Sequence, residues 1–181
     1  MPRLEVFRLQ PSDLSWFREY RCGDEPRAQE VAEWIRGEGD DSVLAALADP
    51  TTEIWFYATP SGQVVGFSSL GQTRWRYPDR DHPAQTLSII PMLGVHIDYH
   101  GKPADGPKSE RYSRQILRHV IGEAKAHADA GRRSRLLGLY VHPENRAAIG
   151  LYAAAGFQLF DRQAFSERTQ TMYSCMLLVL P

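Results

Sequence analysis

The sequence predicts an α/β fold, a mixed and mostly antiparallel sheet of six or seven strands with flanking helices. Three observations carry this expectation. Candidate elements follow the order strand, helices, three strands, helix, strand, helix, two strands. Ser109 to Ala130 forms the strongest helical pattern, with Tyr112, Leu117, Val120, Ile121, Ala124 and Ala128 on one apolar stripe. Leu136 to Phe160 compresses a strand, a helix and the start of another strand into one stretch.

Taken in order, Leu4 to Leu9 is a first strand. Ser12 can cap a short helix over Asp13 to Tyr20, because its hydroxyl can accept from a first-turn amide. Arg21 to Glu25 is a polar break. Pro26 to Ile35 is helical, with Val31, Trp34 and Ile35 on one stripe, and Gly37 to Asp41 ends it. Ser42 can cap another turn that stops before Pro50. Glu53 to Ala58 and Val64 to Leu70 pair as a hairpin across Pro60-Ser61-Gly62. Gln72 to Gln85 is a polar loop holding Trp75 and Tyr77. Thr86 to Tyr99 is a long apolar strand bent near Pro91 or Gly94, and His100 to Lys108 is a Gly/Pro loop. The long helix follows and stops at Gly131. Leu136 to Val141 reads as a buried strand. His142, Pro143 and Glu144 open a helix, with proline near its first position and an acid in its first turn. Gly156 ends that helix as a C′ residue. Strands at about Phe157 to Gln163 and Thr171 to Leu180 flank a loop at Ala164 to Gln170.

The chain suits a single domain over residues 1–181. Its formal net charge is −1, so bulk electrostatics predict neither nucleic acid nor a membrane surface as partner. No apolar run approaches the ~20 residues that span a bilayer. The N-terminal stretch lacks an apolar signal-peptide core, so a cytoplasmic location is the default expectation. Cys22 and Cys175 are too distant in sequence for a metal-binding pair, and no metal is expected.

Asn145, Ile149 and Tyr152 are spaced by four and three and so share one helix face beside a strand. The run Val141, Asn145, Ala148, Leu151-Tyr152 and Gly156-Phe157 resembles the GNAT N-acetyltransferase superfamily, in which strand, Asn, Ala, Leu-Tyr and Gly-Phe recur at this spacing. The element order along nearly the whole chain resembles that family too. The resemblance implies acetyl-CoA as co-substrate and a primary amine, small molecule or peptide, as acceptor. It places the cofactor against the fourth strand, Thr86 to Tyr99, with Gly94, Val95, His96 and Ile97 as the pantetheine edge. The physics suits that placement: a strand without a neighbour offers N–H and C=O groups to the pantetheine amides. The helix N-terminus that follows offers amides and a positive dipole end to the pyrophosphate.

The family's phosphate loop reads Arg or Gln, two residues, Gly, one residue, then Gly or Ala. Counting forward from Val95, His100-Gly101-Lys102 falls at its first half. Counting back from Ala124, Lys108-Ser109-Glu110-Arg111-Tyr112-Ser113 falls on it. The loop therefore carries an insertion of about seven residues, within the tolerance of a surface loop. Gly101, Lys102, Lys108, Arg111, Tyr112 and Ser113 are the expected phosphate residues, the cations supplying positive charge. Gly101 to Ser109 also approaches a P-loop, but Pro107 removes an N–H where that motif needs donors.

Acetyl transfer to an amine needs a neutral nucleophile, a donor to the developing oxyanion and a proton for the leaving thiolate. The N–H of Val95 or a neighbour is the candidate oxyanion donor. The resemblance assigns the proton to Tyr152, whose phenol stays protonated at neutral pH, and a cofactor hydrogen bond to Asn145. His96 is the first candidate for general base, sharing side-chain parity with Asp98; Glu53 and His82 are alternatives. His119, Glu123 and His127 share a helix face opposite the apolar stripe and read as solvated. Two other functions remain open: a non-catalytic acyl-CoA-binding or partner-binding module, and a toxin-type acetyltransferase acting on aminoacyl-tRNA. The last strand offers a route to a homodimer.

Overall fold

A computed structural model describes residues 4–24, 26–40, 42–75, 84–104, 110–166 and 170–181. Among the described residues, eight strands join in a sheet that is mixed and mostly antiparallel, as expected. The chain divides into two compact units, Met1–Ser69 with Met92–Arg118, and Leu70–Pro91 with His119–Pro181.

The first unit holds β1 (Glu5–Arg8), β2 (Glu53–Ala58), the first half of β3 (Val64–Trp75) and β5 (Leu93–Val95), with α1 (Leu14–Phe17), α2 (Pro26–Arg36) and α3 (Val43–Ala48). β1 runs antiparallel to β2 with Glu5 opposite Ala58, and β5 runs antiparallel to β3 with Gly66 opposite Val95. An aromatic core closes this unit. Phe67 meets Phe17 and Tyr20 edge-on, and Trp34 stacks on it at 5.7 Å. Ser42 caps α3 as expected, its hydroxyl accepting from the Ala45 N–H at 3.2 Å. Ser12 caps nothing in the first helical stretch. A 3-10 turn at Pro11–Asp13 precedes α1, and the Asp13 carboxylate accepts from the Gln10 N–H at 2.8 Å.

The second unit continues β3 into β4 (Gln85–Ile90), β6 (Leu136–Val141), β8 (Thr171–Val179) and β7 (Gln158–Ser166), in that spatial order. β4 and β6 are parallel, with Ser88 opposite Leu137, and the other pairs are antiparallel. It also holds α5 (Arg146–Ala154) and most of α4 (Tyr112–Asp129). Tyr112, Ile116, Leu117, Val120, Ala124 and Ala128 are the buried stripe of α4, so Ile116 joins the expected set and Ile121 stays partly exposed. Gly138 interrupts the Leu-rich β6 because a Cβ there would press within 3.2 Å of both Leu87 and Leu177.

Other elements also differ from expectation. The single strand at Thr86 to Tyr99 is two strands, with β3 pairing β4 over Gly71–Trp75 and β5 over Gly66–Ser68. Pro91 has no N–H for a ladder, and Met92 donates its N–H to Ser69 Oγ at 2.9 Å. Residues Ile97–Tyr99 form a 3-10 turn and not strand. β3 in turn reaches Trp75, where the sequence suggested a loop from Gln72.

Candidate active site

Most of the expected cofactor residues lie in the first unit. Their central feature is the outer edge of β5, which among the described residues pairs with β3 alone as a strand. His96 donates its N–H to Val65 O at 2.7 Å, and Ser69 donates to Met92 O at 2.9 Å. Antiparallel hydrogen bonds alternate along a strand. The N–H and C=O of Leu93 and Val95 therefore point away from β3. Val95 thus has the geometry expected of an oxyanion or pantetheine partner. Gly94 has another function: a Cβ there would lie 2.4 Å from Phe67 Cε1 and 2.7 Å from Cys22 Sγ, so its bareness brings β5 down onto the aromatic core. Ile97 does not continue the edge, because its N–H is donated to Arg21 O at 3.0 Å.

His96 is half-buried, edge-on to Tyr20 at 5.3 Å. Its Nδ1 accepts from the Asp98 N–H at 3.3 Å. A neutral ring in that arrangement carries its proton on Nε2 and donates there. A base at Nε2 requires the other tautomer, with Nδ1–H facing Asp98 Oδ2 at 3.5 Å. Beside it, burial first and then the neighbouring Cys22 hold the Tyr20 phenol well above its ordinary value, and burial pushes the Cys22 thiol up to about 12.

The inserted loop folds back on itself. Pro103 bridges to Arg111, Ala104 donates its N–H to Glu110 O at 3.0 Å, and Tyr112 Oη donates to Ala104 O at 3.2 Å. Glu110 is ion-paired to Arg118. This fold-back makes Arg111 the residue that starts α4: its carbonyl accepts from both Arg114 and Gln115. The amides of Tyr112 and Ser113 belong to the first turn, which has no intrahelical acceptor. Gly101, Lys102 and Arg111 are exposed. Lys108 and His82 lie outside the described residues.

The second unit holds Asn145 and Tyr152. α5 begins at Arg146, later than Pro143, because Asn145 is its N-cap and accepts from the Ala148 N–H at 3.1 Å. The preceding turn is closed by His142, whose Nδ1 accepts from the Glu144 N–H at 3.2 Å. Asn145 Oδ1 is thereby committed to the helix, and its amide nitrogen is the group that can donate to a ligand. Tyr152 is half-buried, and burial pushes its phenol up to about 12. His119 pairs with Glu123 at 3.6 Å on α4. No cluster of His, Cys, Asp and Glu among the described residues is arranged to hold a metal ion. No helix among them is long and apolar enough to cross a membrane.

Neither a family model nor a curated protein matches the sequence. Solved structures do match it. A variant of the AtaT toxin, bound to the C-terminus of the antitoxin AtaR and acetyl-CoA, aligns over 97% of this chain and 92% of its own at 12% identity, with a TM-score of 0.60. Arabidopsis thaliana NAA60 in complex with acetyl-CoA aligns over 97% of both chains at 18% identity and a TM-score of 0.59. A Desulfovibrio desulfuricans protein described as a GNAT-family acetyltransferase aligns over 98% of this chain and 99% of its own, at 16% identity and a TM-score of 0.61.

The chain has the GNAT acetyltransferase fold. Within the GNAT fold, β4 and β5 together take the place of the expected fourth strand, and β6 with α5 carries the Asn and Leu-Tyr motif. His100 and the Tyr20–Cys22 pair are the residues near β5 that sequence reasoning passed over. His100-Gly101-Lys102 was placed at the first half of the phosphate loop, with no role given to the imidazole. The approach of its ring to Val95 was not legible.

Proposed function

We propose that this chain is an acetyl-CoA-dependent N-acetyltransferase acting on a primary amine. The observation that carries the reading is the outer edge of β5 on a GNAT fold, which no strand among the described residues pairs, with the Val95 N–H and C=O turned away from β3. The donor set fits an acyl-CoA: an amide edge for pantetheine, and the first-turn amides of α4 with Lys102 and Arg111 for its phosphates. Bound acetyl-CoA supplies the activated acetyl thioester.

The protein's own groups supply the rest. The Val95 N–H is a preorganised donor for the developing oxyanion. Tyr152 Oη holds a proton across the neutral range and donates it to the departing sulfur. Asn145 donates through its side-chain nitrogen. His96, once its Nδ1–H faces Asp98, takes the proton of the incoming amine at Nε2. The acidic runs Gly23-Asp24-Glu25 and Glu38 to Asp41 of the sequence favour a cationic acceptor, which must reach the site deprotonated. The test is a panel of primary amines and N-terminal peptides, read by thiol release and by mass of the acetylated product. Thiol release coupled to stoichiometric acetylation of an amine supports the reading; tight CoA binding without turnover on any amine favours a binding module. The alternative reading, a toxin-type acetyltransferase acting on aminoacyl-tRNA, adds aminoacyl-tRNA to the panel.

A further inference from the structure

The imidazole of His100 turns back across its own loop, and its Nε2 lies 2.8 Å from the carbonyl oxygen of Val95. A carbonyl only accepts, so Nε2 carries the proton in this hydrogen bond. The register makes Val95 O an edge group and not a rung of the β3–β5 ladder. The ring therefore covers the acceptor that an incoming amide N–H would use. Its other flank is bare backbone. Gly23 has φ of +133°, and a Cβ added there would come 3.9 Å from His100 Cε1. His100 itself is exposed, and its backbone N–H makes only a long bond to Ile97 O at 3.3 Å. The side chain can swing out into solvent without disturbing the core.

We propose that His100 is a placeholder on the pantetheine edge. Its imidazole satisfies the Val95 carbonyl in the free protein, is displaced by the amide of the bound acyl-CoA, and so sets cofactor affinity. The proposal rests on the acetyl-CoA reading above.

The test has two readouts. One is calorimetric titration of CoA into wild type, His100→Ala and His100→Gln. Losing a competing neutral hydrogen bond tightens CoA binding about five-fold in His100→Ala. His100→Gln keeps a side-chain donor for Val95 O and stays near wild type. The other readout is the histidine ring nitrogen spectrum of wild type. It shows His100 as the Nε2–H tautomer in the free protein and a shifted Nε2 at saturating CoA. The proposal is overturned if His100→Ala binds CoA no tighter, or if the His100 nitrogens do not move on saturation. Absence of CoA binding to all three proteins overturns the acetyl-CoA reading as well, a result distinct from unchanged affinity.

Discussion

Replacing Gly94 with alanine tests how β5 is seated on its core. The new Cβ would lie 2.4 Å from Phe67 Cε1 and 2.7 Å from Cys22 Sγ, closer than unbonded heavy atoms pack. Neither neighbour can yield. Phe67 is fully buried and held by Phe17 at 5.2 Å, Tyr20 at 5.5 Å and Trp34 at 5.7 Å. Cys22 is buried too. Forcing a methyl into a filled core costs about 1–3 kcal/mol, and two fixed neighbours put Gly94→Ala near the upper end. With a urea slope of about 2 kcal/mol per molar, the unfolding midpoint falls by about 1.5 M at unchanged slope. Adding Cys22→Ala removes one of the two clashes and recovers part of the loss. Gly138→Ala is the control: its closest approaches, 3.2 Å, are to the flexible ends of Leu87 and Leu177, so it costs less. A Gly94→Ala midpoint matching wild type would refute the packing argument.

Three further outcomes are expected. Tyr152→Phe lowers kcat by about 10²–10⁴ while leaving acetyl-CoA affinity nearly unchanged, as steady-state kinetics beside calorimetry will show. Because the phenol is pushed up to about 12, it stays protonated throughout a neutral assay, and the wild-type profile shows no alkaline decline from Tyr152 well below that pH. Asp129 accepts from Lys125 and Arg135 at 2.9 Å each, and the Lys125 hydrogen bond leads in holding its carboxyl below the ordinary value. A depressed carboxyl stabilises the fold above its unfolded value and loses that contribution as pH falls through its folded one. Asp129→Asn is therefore less stable than wild type in neutral urea melts, and the gap closes as the pH is lowered below about 3.8. Gly122 sits on the exposed side of α4 with nothing within 4 Å of an added Cβ. Gly122→Ala stabilises by up to about 1 kcal/mol, raising Tm by about 2–4 °C in a thermal melt.

The fold was legible where local pattern and final environment agree. The apolar stripe of α4, the hairpin at Pro60-Ser61-Gly62 and the Gly156-Phe157 boundary each depend on residues close in sequence, and each stands where expected apart from the exchange of Ile121 for Ile116 in the stripe. The split of the fourth strand was not legible, because an apolar run does not say which strand it pairs with. Ser69 Oγ, far upstream, takes the Met92 N–H and helps fix that break. The helix start at Pro143 was misplaced for a local reason. His142 and Asn145 both spend side-chain acceptors on nearby amides, so the turn precedes the helix. Val95-His96-Ile97-Asp98 and Val141-His142-Pro143-Glu144 end their strands with the same device, an imidazole Nδ1 accepting from the amide two residues on. The shared device makes His96 a turn-forming residue in this structure before it is a base. Of the candidate site, the family resemblance implied Val95, and spacing together with that resemblance singled out Tyr152. The return of the His100 ring to Val95 depends on loop geometry that spacing does not encode.

The measurement closest to the central claim is calorimetric titration of acetyl-CoA into the wild-type protein and Tyr152→Phe. The account predicts micromolar binding to both, because the edge of β5 and the start of α4 hold the ligand while the phenol acts only in turnover. No binding to either protein would contradict it, and the GNAT fold here would then serve some purpose other than acetyl transfer.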